Sequence, residues 1–166
     1  MDATIEHGDR RFVLRVAGVA FDRERVLLHR MEHDDFWAMP GGRVALGEEA
    51  SVSLRREMIE EIATEVRVQR LVWVMENFFE NAGKRYHELG LYFLMELPHD
   101  SPLRACESFE GPEQWLAGSG TLKLIFRWFP LSALAALPLY PTFLRQGLLA
   151  LPPTTQHIVH YDSDDE

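Results

Sequence analysis

From Glu49 to Ile62 the chain contains neither glycine nor proline, and most of its residues there are good helix formers. On a helix, Ala50, Leu54, Met58 and Ile62 repeat every four residues and fall along one apolar stripe. At roughly 100° per residue, Glu57 and Glu61 share a neighbouring face, one turn apart, with Glu60 about 60° to the other side of Glu57. The helix must therefore bury one side against a sheet while three carboxylates crowd a narrow arc. Like charges at this spacing destabilise a helix by roughly a few tenths of a kcal/mol per pair. The helix dipole also disfavours anions in the C-terminal half. A sequence chosen only for stability avoids this arrangement. A hard divalent cation relieves it, because oxygen ligands suit Mg²⁺ or Mn²⁺. Arg56, four residues before Glu60, can hold a carboxylate in place. Gly41 and Gly42 let the backbone come close to a metal or phosphate, and a glycine carbonyl offers a further ligand.

The segments on either side read mainly as strands. Phe12 to Phe21 is rich in β-branched and apolar residues, and Val26 to His29 follows a polar turn, so the two are expected to form a hairpin. Glu65 to Glu80 and Lys84 to Leu97 flank Asn81-Ala82-Gly83 and read as a long hairpin. Pro98 to Gly120 has no clear period and reads as a long loop. Leu124 to Phe129 is expected as a short strand, and Ser132 to Leu137 and Pro141 to Ala150 as helices. The order predicts a mixed sheet with helices packed on it, an α/β or α+β layered domain. Residues 1–10 read as an N-terminal extension, 11–151 as the domain, and 152–166 as an acidic tail with little order.

The chain's 166 residues suit one domain. A formal net charge of −9 and the lack of any Lys/Arg run argue against long nucleic acid as a partner. A small polyphosphate remains compatible, since a divalent cation reverses the field that carboxylates create. No apolar run approaches the roughly 20 residues a bilayer crossing needs, so no membrane partner is expected. The polar start, Met1 to Arg11, does not read as a secretory signal, and a single cysteine, Cys106, fits a reducing, cytoplasmic setting.

Gly42 to Thr64 resembles the Nudix box: Gly, five residues, Glu, seven residues, Arg-Glu, an apolar residue, any residue, Glu-Glu, any residue, Gly, an apolar residue. Gly42, Glu48, Arg56, Glu57, Met58, Glu60 and Glu61 stand at matching positions. Ala63 and Thr64 depart, standing where the family has Gly and an apolar residue. The lead-in Phe36 to Gly42 and the order of elements extend the resemblance from about Arg11 to Leu149.

The resemblance implies an α/β/α sandwich with a mixed β-sheet, and a metal-dependent pyrophosphohydrolase using Mg²⁺ or Mn²⁺. The expected substrate is a small nucleotide: a nucleoside diphosphate linked to a sugar or similar group, cut to a nucleoside monophosphate. The alternatives are a nucleoside triphosphate pyrophosphatase, or a nucleotide-binding sensor of the same fold that does not turn over. By similarity, Glu57 and Glu61 are the principal metal ligands, Glu60 a further ligand or one acting through water, and the Gly41 carbonyl completes the site. Arg56 orients the carboxylates and Glu48 supports them. The box leaves the general base open among Glu60, Glu96, Glu107, Glu110 and Glu113. Trp37, Trp73, Phe78, Phe79 and Tyr86 are candidates for stacking on a base, though most are expected in the core. Arg15 and the His87-Glu88 pair are weaker candidates for substrate contact. A homodimer is compatible with the family, but no interface pattern is readable in the sequence.

Overall fold

The computed structural model describes residues 1–112, 114–116 and 120–162. In chain order its elements are β1 (Thr4–His7), β2 (Arg10–Val19), β3 (Phe21–Asp22), β4 (Arg25–Met31), β5 (Gly41–Arg43) and α1 (Ala50–Ile62). There follow β6 (Arg67–Asn81), β7 (Lys84–Glu96), β8 (Ser108–Glu110), β9 (Gln114–Leu116), β10 (Gly120–Leu122), β11 (Leu124–Pro130), α2 (Leu144–Gly147) and β12 (Gln156–Tyr161).

The expected long hairpin is the middle of a six-stranded mixed sheet. β6 and β7 pair antiparallel through a tight turn in which Ala82 (φ 49°) and Gly83 (φ 74°) both take left-handed conformations. β2 lies parallel to β7 on its other side, from Arg10 beside Arg85 to Val19 beside Leu94. β1 and β5 pair antiparallel with β2, and β12 runs parallel to β6 at the opposite edge. A second, antiparallel sheet has the order β3-β4-β11-β8, and β9 and β10 form a small ribbon.

Helices cover the structure from two sides. Leu54, Met58 and Ile62 of α1 are buried with Val16, Leu27, Val66, Met95 and Phe126. Leu134, Leu139, Leu144 and Leu148, from a 3-10 turn (Leu131–Ala136) and the region of α2, are buried with Ala17, Leu28, Val72, Trp73, Met75 and Tyr92. The result is a mixed α+β layered fold, as expected.

Several local expectations differ. The main part of β2 does not pair with β4; only β3 does, through Phe21 beside Val26 and Asp22 beside Arg25. Val16 to Val19 are apolar or small and fully buried, so this end of β2 needs cover on both faces and stays inside the larger sheet. The Pro98–Gly120 region is not simply loop: it holds a 3-10 turn (Pro102–Arg104), and β8 pairs with β11. The two C-terminal helices are only a 3-10 turn and the four-residue α2. The stretch after Pro152, expected to have little order, contains β12. Its Gln-His-Ile-Val-His-Tyr sequence alternates, with Ile158 and His160 half-buried and their neighbours exposed. This strand-forming pattern outweighs the acidic composition that follows it.

Candidate active site

α1 presents its carboxylates through one arginine. Arg56 donates from Nε to Glu48 Oε1 (2.9 Å) and from Nη2 to Glu48 Oε2 (3.0 Å). Its Nη1 donates to Glu57 Oε1 (2.7 Å) and Glu60 Oε2 (3.3 Å), and Nη2 also reaches Ser53 Oγ (3.1 Å). The planar fork spans three acidic groups that would otherwise repel one another. Glu48 precedes the helix, and the guanidinium hydrogen bonds draw its carboxyl down to about 2. The Arg56 pKa rises in return.

The helix ends at Ala63, which takes the left-handed conformation (φ 50°, ψ 36°) despite its side chain. Its N–H donates to the Ile59 carbonyl at 3.0 Å and that of Thr64 to Met58 at 3.4 Å. The chain therefore leaves the helix as a glycine would allow, and Ala63 carries about 1 kcal/mol of strain there.

Glu61 points the other way, into the protein. It is 6% exposed, and its Oε2 has no hydrogen-bond partner. Burial is the main reason its pKa rises to about 8, with the neighbouring Glu57 adding to it. His29 Nδ1, also buried and without a hydrogen bond, stands 3.8 Å from Glu61 Oε2. Burial lowers the His29 pKa to about 3, so the ring is neutral at physiological pH. Both residues line a cleft of about 690 Å³ together with Gly41, Arg15, Arg43 and Glu88. Arg15 is fixed by a hydrogen bond from Nη2 to the Met39 carbonyl (3.0 Å), and its charge opposes the rise at Glu61, Glu57 and Glu88.

The residues fit a divalent cation. Glu61 keeps a buried carboxylate oxygen unpartnered, which is costly unless a proton or a cation satisfies it. The Glu57 carboxylate lies directly over Gly42, where an added Cβ would stand 2.4 Å from its carboxyl carbon and Oε2. Gly41 is equally confined: its φ is +147°, and a Cβ there would meet the Val16 carbonyl at 2.1 Å. Any larger residue at either position would displace the carboxylate or the backbone beneath it. Among the described residues no three His, Cys, Asp or Glu side chains already converge as a ligand cluster. Glu57 and Glu60 turn toward Arg56, and Glu60 is half exposed.

The other acidic candidates lie elsewhere. Glu96 pairs with Arg67 on the sheet surface, Glu107 with Arg127 (2.6 Å) and Glu110 with Lys123 (2.9 Å), all exposed and none lining the cleft. Glu113 lies outside the described residues. The acidic group that does reach the cleft from β7 is Glu88, whose pKa burial raises. Its neighbour His87 faces away, bonding Glu76 Oε1 at 3.2 Å and stacking on Phe78. Trp73 is core, and Trp37 packs on Phe129. Phe79 and Tyr86 line the cleft, stacked on one another at 4.7 Å. The sequence reading missed His29, Asn77 and Asp162. For Asn77, the period-two alternation of β6 carried a signal, because Met75, Asn77 and Phe79 must share a face.

A mixed sheet between helices, with an acidic helix beside a glycine-lined cleft, is an arrangement suited to a phosphorylated ligand. The NUDIX domain model matches residues 11–148, and the chain belongs to the Nudix family, as a hydrolase of phosphorus-containing anhydrides. No curated protein matched it by sequence. Among solved structures, a MutT protein from Bacillus halodurans is similar at 19% identity and a TM-score of 0.56, covering 93% of each chain. An ADP-ribose pyrophosphatase from Streptococcus suis is similar at 18% identity and a TM-score of 0.53, covering 90% of this chain and 98% of that one. A UDP-X diphosphatase is similar at 19% identity and a TM-score of 0.53, covering 88% of this chain and 66% of that one. These likenesses establish the shared fold. Members of the family generally use divalent metal ions. No helix among the described residues is long and apolar enough to cross a membrane.

Proposed function

We propose that the protein is a Mg²⁺- or Mn²⁺-dependent pyrophosphohydrolase acting on a nucleoside diphosphate linked to a sugar or similar group. The observation that carries this reading is the unpartnered, buried Oε2 of Glu61 at the wall of a cleft that also holds Gly41 and Arg15. When bound, the cation supplies neutralisation of the diphosphate and acidification of the attacking water.

The protein's own part is positioning. Glu57 and Glu61 hold the cation, with the Gly41 carbonyl and Glu60 as further ligands. Arg56 keeps Glu57 and Glu60 oriented and is itself anchored on Glu48. Arg15, on the cleft wall, meets the negative diphosphate. Glu60, the most exposed of the three helix carboxylates, is the proton acceptor within the box. The names of two fold neighbours, an ADP-ribose pyrophosphatase and a UDP-X diphosphatase, agree with a linked diphosphate as substrate. A net charge of −9 supports a small substrate over long nucleic acid.

The test is a turnover screen of sugar nucleotides, dinucleotides and nucleoside triphosphates with Mg²⁺ and then Mn²⁺, products being separated by chromatography. Metal-dependent release of a nucleoside monophosphate from a sugar nucleotide is expected. Cleavage of triphosphates alone would move the substrate class. No cleavage by folded protein would refute the hydrolytic reading of this site.

A further inference from the structure

The cleft has a second polar wall, built from the sheet and away from α1. Asn77 on β6 stands opposite Glu88 on β7 and beside His160 on β12. It lines the cleft, is 4% exposed, and its Oδ1 has no hydrogen-bond partner. A buried amide left unpaired is costly, and a hydrogen-bonding group on a ligand would offset that cost.

Asp162 follows β12 and lines the same cleft. Its backbone N–H donates to the Phe78 carbonyl (2.9 Å), continuing the parallel pairing with β6. Its Oδ1 accepts from the Thr142 N–H (3.1 Å), from Thr142 Oγ1 (2.9 Å) and from His160 Nε2 (2.8 Å). These bonds fix the carboxylate through Oδ1, and among the described residues no hydrogen bond reaches Oδ2. The family match ends at residue 148, so this group comes from outside the matched domain. A carboxylate beside a primary amide offers acceptors and a donor, a set that suits the edge of a heterocyclic base. Phe79 and Tyr86 add aromatic surface to the cleft.

We propose that Asn77 and Asp162 form the subsite that seats the base of the nucleotide, the amide and the carboxylate hydrogen-bonding its ring and amino groups. The inference rests on the proposed nucleotide substrate and adds its orientation: base against the β6–β12 wall, diphosphate toward Gly41 and Glu61. The C-terminal strand then sets specificity.

The full chain, stripped of metal with EDTA, would be titrated calorimetrically with AMP, GMP, CMP, UMP, ribose 5-phosphate and inorganic phosphate. At least one nucleoside monophosphate is expected to bind about tenfold or more tightly than ribose 5-phosphate. Asn77→Leu and Asp162→Asn should each weaken that binding by about tenfold, leaving ribose 5-phosphate and phosphate unchanged. Asp162→Asn retains an oxygen acceptor for Thr142 and serves if Asn77→Leu fails to fold. Equal binding of nucleotide and ribose 5-phosphate, no nucleotide binding, or unchanged binding in Asp162→Asn would overturn the proposal. Turnover by the wild type with unaltered KM in the folded variants would sink this subsite and leave the hydrolase standing. Asn77-dependent binding without turnover would do the reverse.

Discussion

Arg56 holds Glu48 by two parallel hydrogen bonds, Nε to Oε1 at 2.9 Å and Nη2 to Oε2 at 3.0 Å. The fork fastens the segment before α1 to the middle of the helix. It also draws the Glu48 carboxyl from 4.5 down to about 2. A lowered carboxylate stabilises the fold fully above its unfolded value, and that stabilisation is lost as pH falls from about 4.5 towards 2. Glu48→Gln should therefore lower the melting temperature near neutral pH, and the gap from wild type should close as pH approaches about 3. Thermal melts by circular dichroism across that range check it. A gap independent of pH would show that the charge is not what matters.

Glu61 has the opposite sign. Its folded carboxyl, raised to about 8, keeps a proton that the unfolded chain releases above 4.5, so metal-free protein should lose stability as pH rises through that interval. A divalent cation competes with the same proton. In EDTA, Glu61→Gln should flatten the fall in melting temperature that wild type shows on the alkaline side. Added Mn²⁺ should raise the wild-type melting temperature more at about pH 8 than at about pH 5, and raise the variant's much less. Turnover should be abolished in Glu61→Gln with the fold retained. Normal activity in that variant would remove Glu61 from the metal site.

Ala63 holds a left-handed conformation at φ 50°. Ala63→Gly should relieve the side-chain strain and stabilise the protein by about 1 kcal/mol, or roughly 2–4 °C. The gain is partly offset by the greater freedom of glycine in the unfolded chain. Denaturant titration would measure it. A clear loss of stability would mean that the Ala63 methyl makes a contact that matters.

Deleting residues 156–166 removes β12. An acidic tail with little order predicts no effect, whereas the observed pairing with β6 predicts a substantial one. The edge of β6 would lose its parallel hydrogen bonds, and the half-buried Ile158 would no longer cover the core. The melting temperature should fall by several degrees and KM for the substrate should rise. An unchanged melting curve and unchanged kinetics would return the segment to the status of a loose end.

The helix and its acidic face were legible because the pattern is local: α1 was expected at 49–62 and is found at Ala50–Ile62. The long hairpin was equally plain, since Asn81-Ala82-Gly83 joins two β-rich runs. What the sequence concealed depends on distant partners. Nothing local tells that His29 on β4 meets Glu61, or that Asn77 lies beside His160. The sequence offered Glu96, Glu107 and Glu110 as general-base candidates and Glu88 only as a weaker candidate for substrate contact, yet strand direction and register bring Glu88 to the cleft and leave the other three outside it. The weak C-terminal helices show how a short apolar run reads alike as a helix or a 3-10 turn.

The parallel pairing of β2 with β7 also bears on how the chain folds. Tyr86 and Arg11, 75 residues apart in sequence, share a hydrogen bond near the start of this ladder. The β6–β7 hairpin closes over a few residues and can form early, but β2 must wait until α1 and that hairpin have brought its partner within reach. The cleft is assembled from β2, β4, β6, β7 and the segment after β12, so it is completed only in the last stage of folding. Amides of the β6–β7 ladder should accordingly gain protection from exchange before those of β2, and the binding surface should appear last.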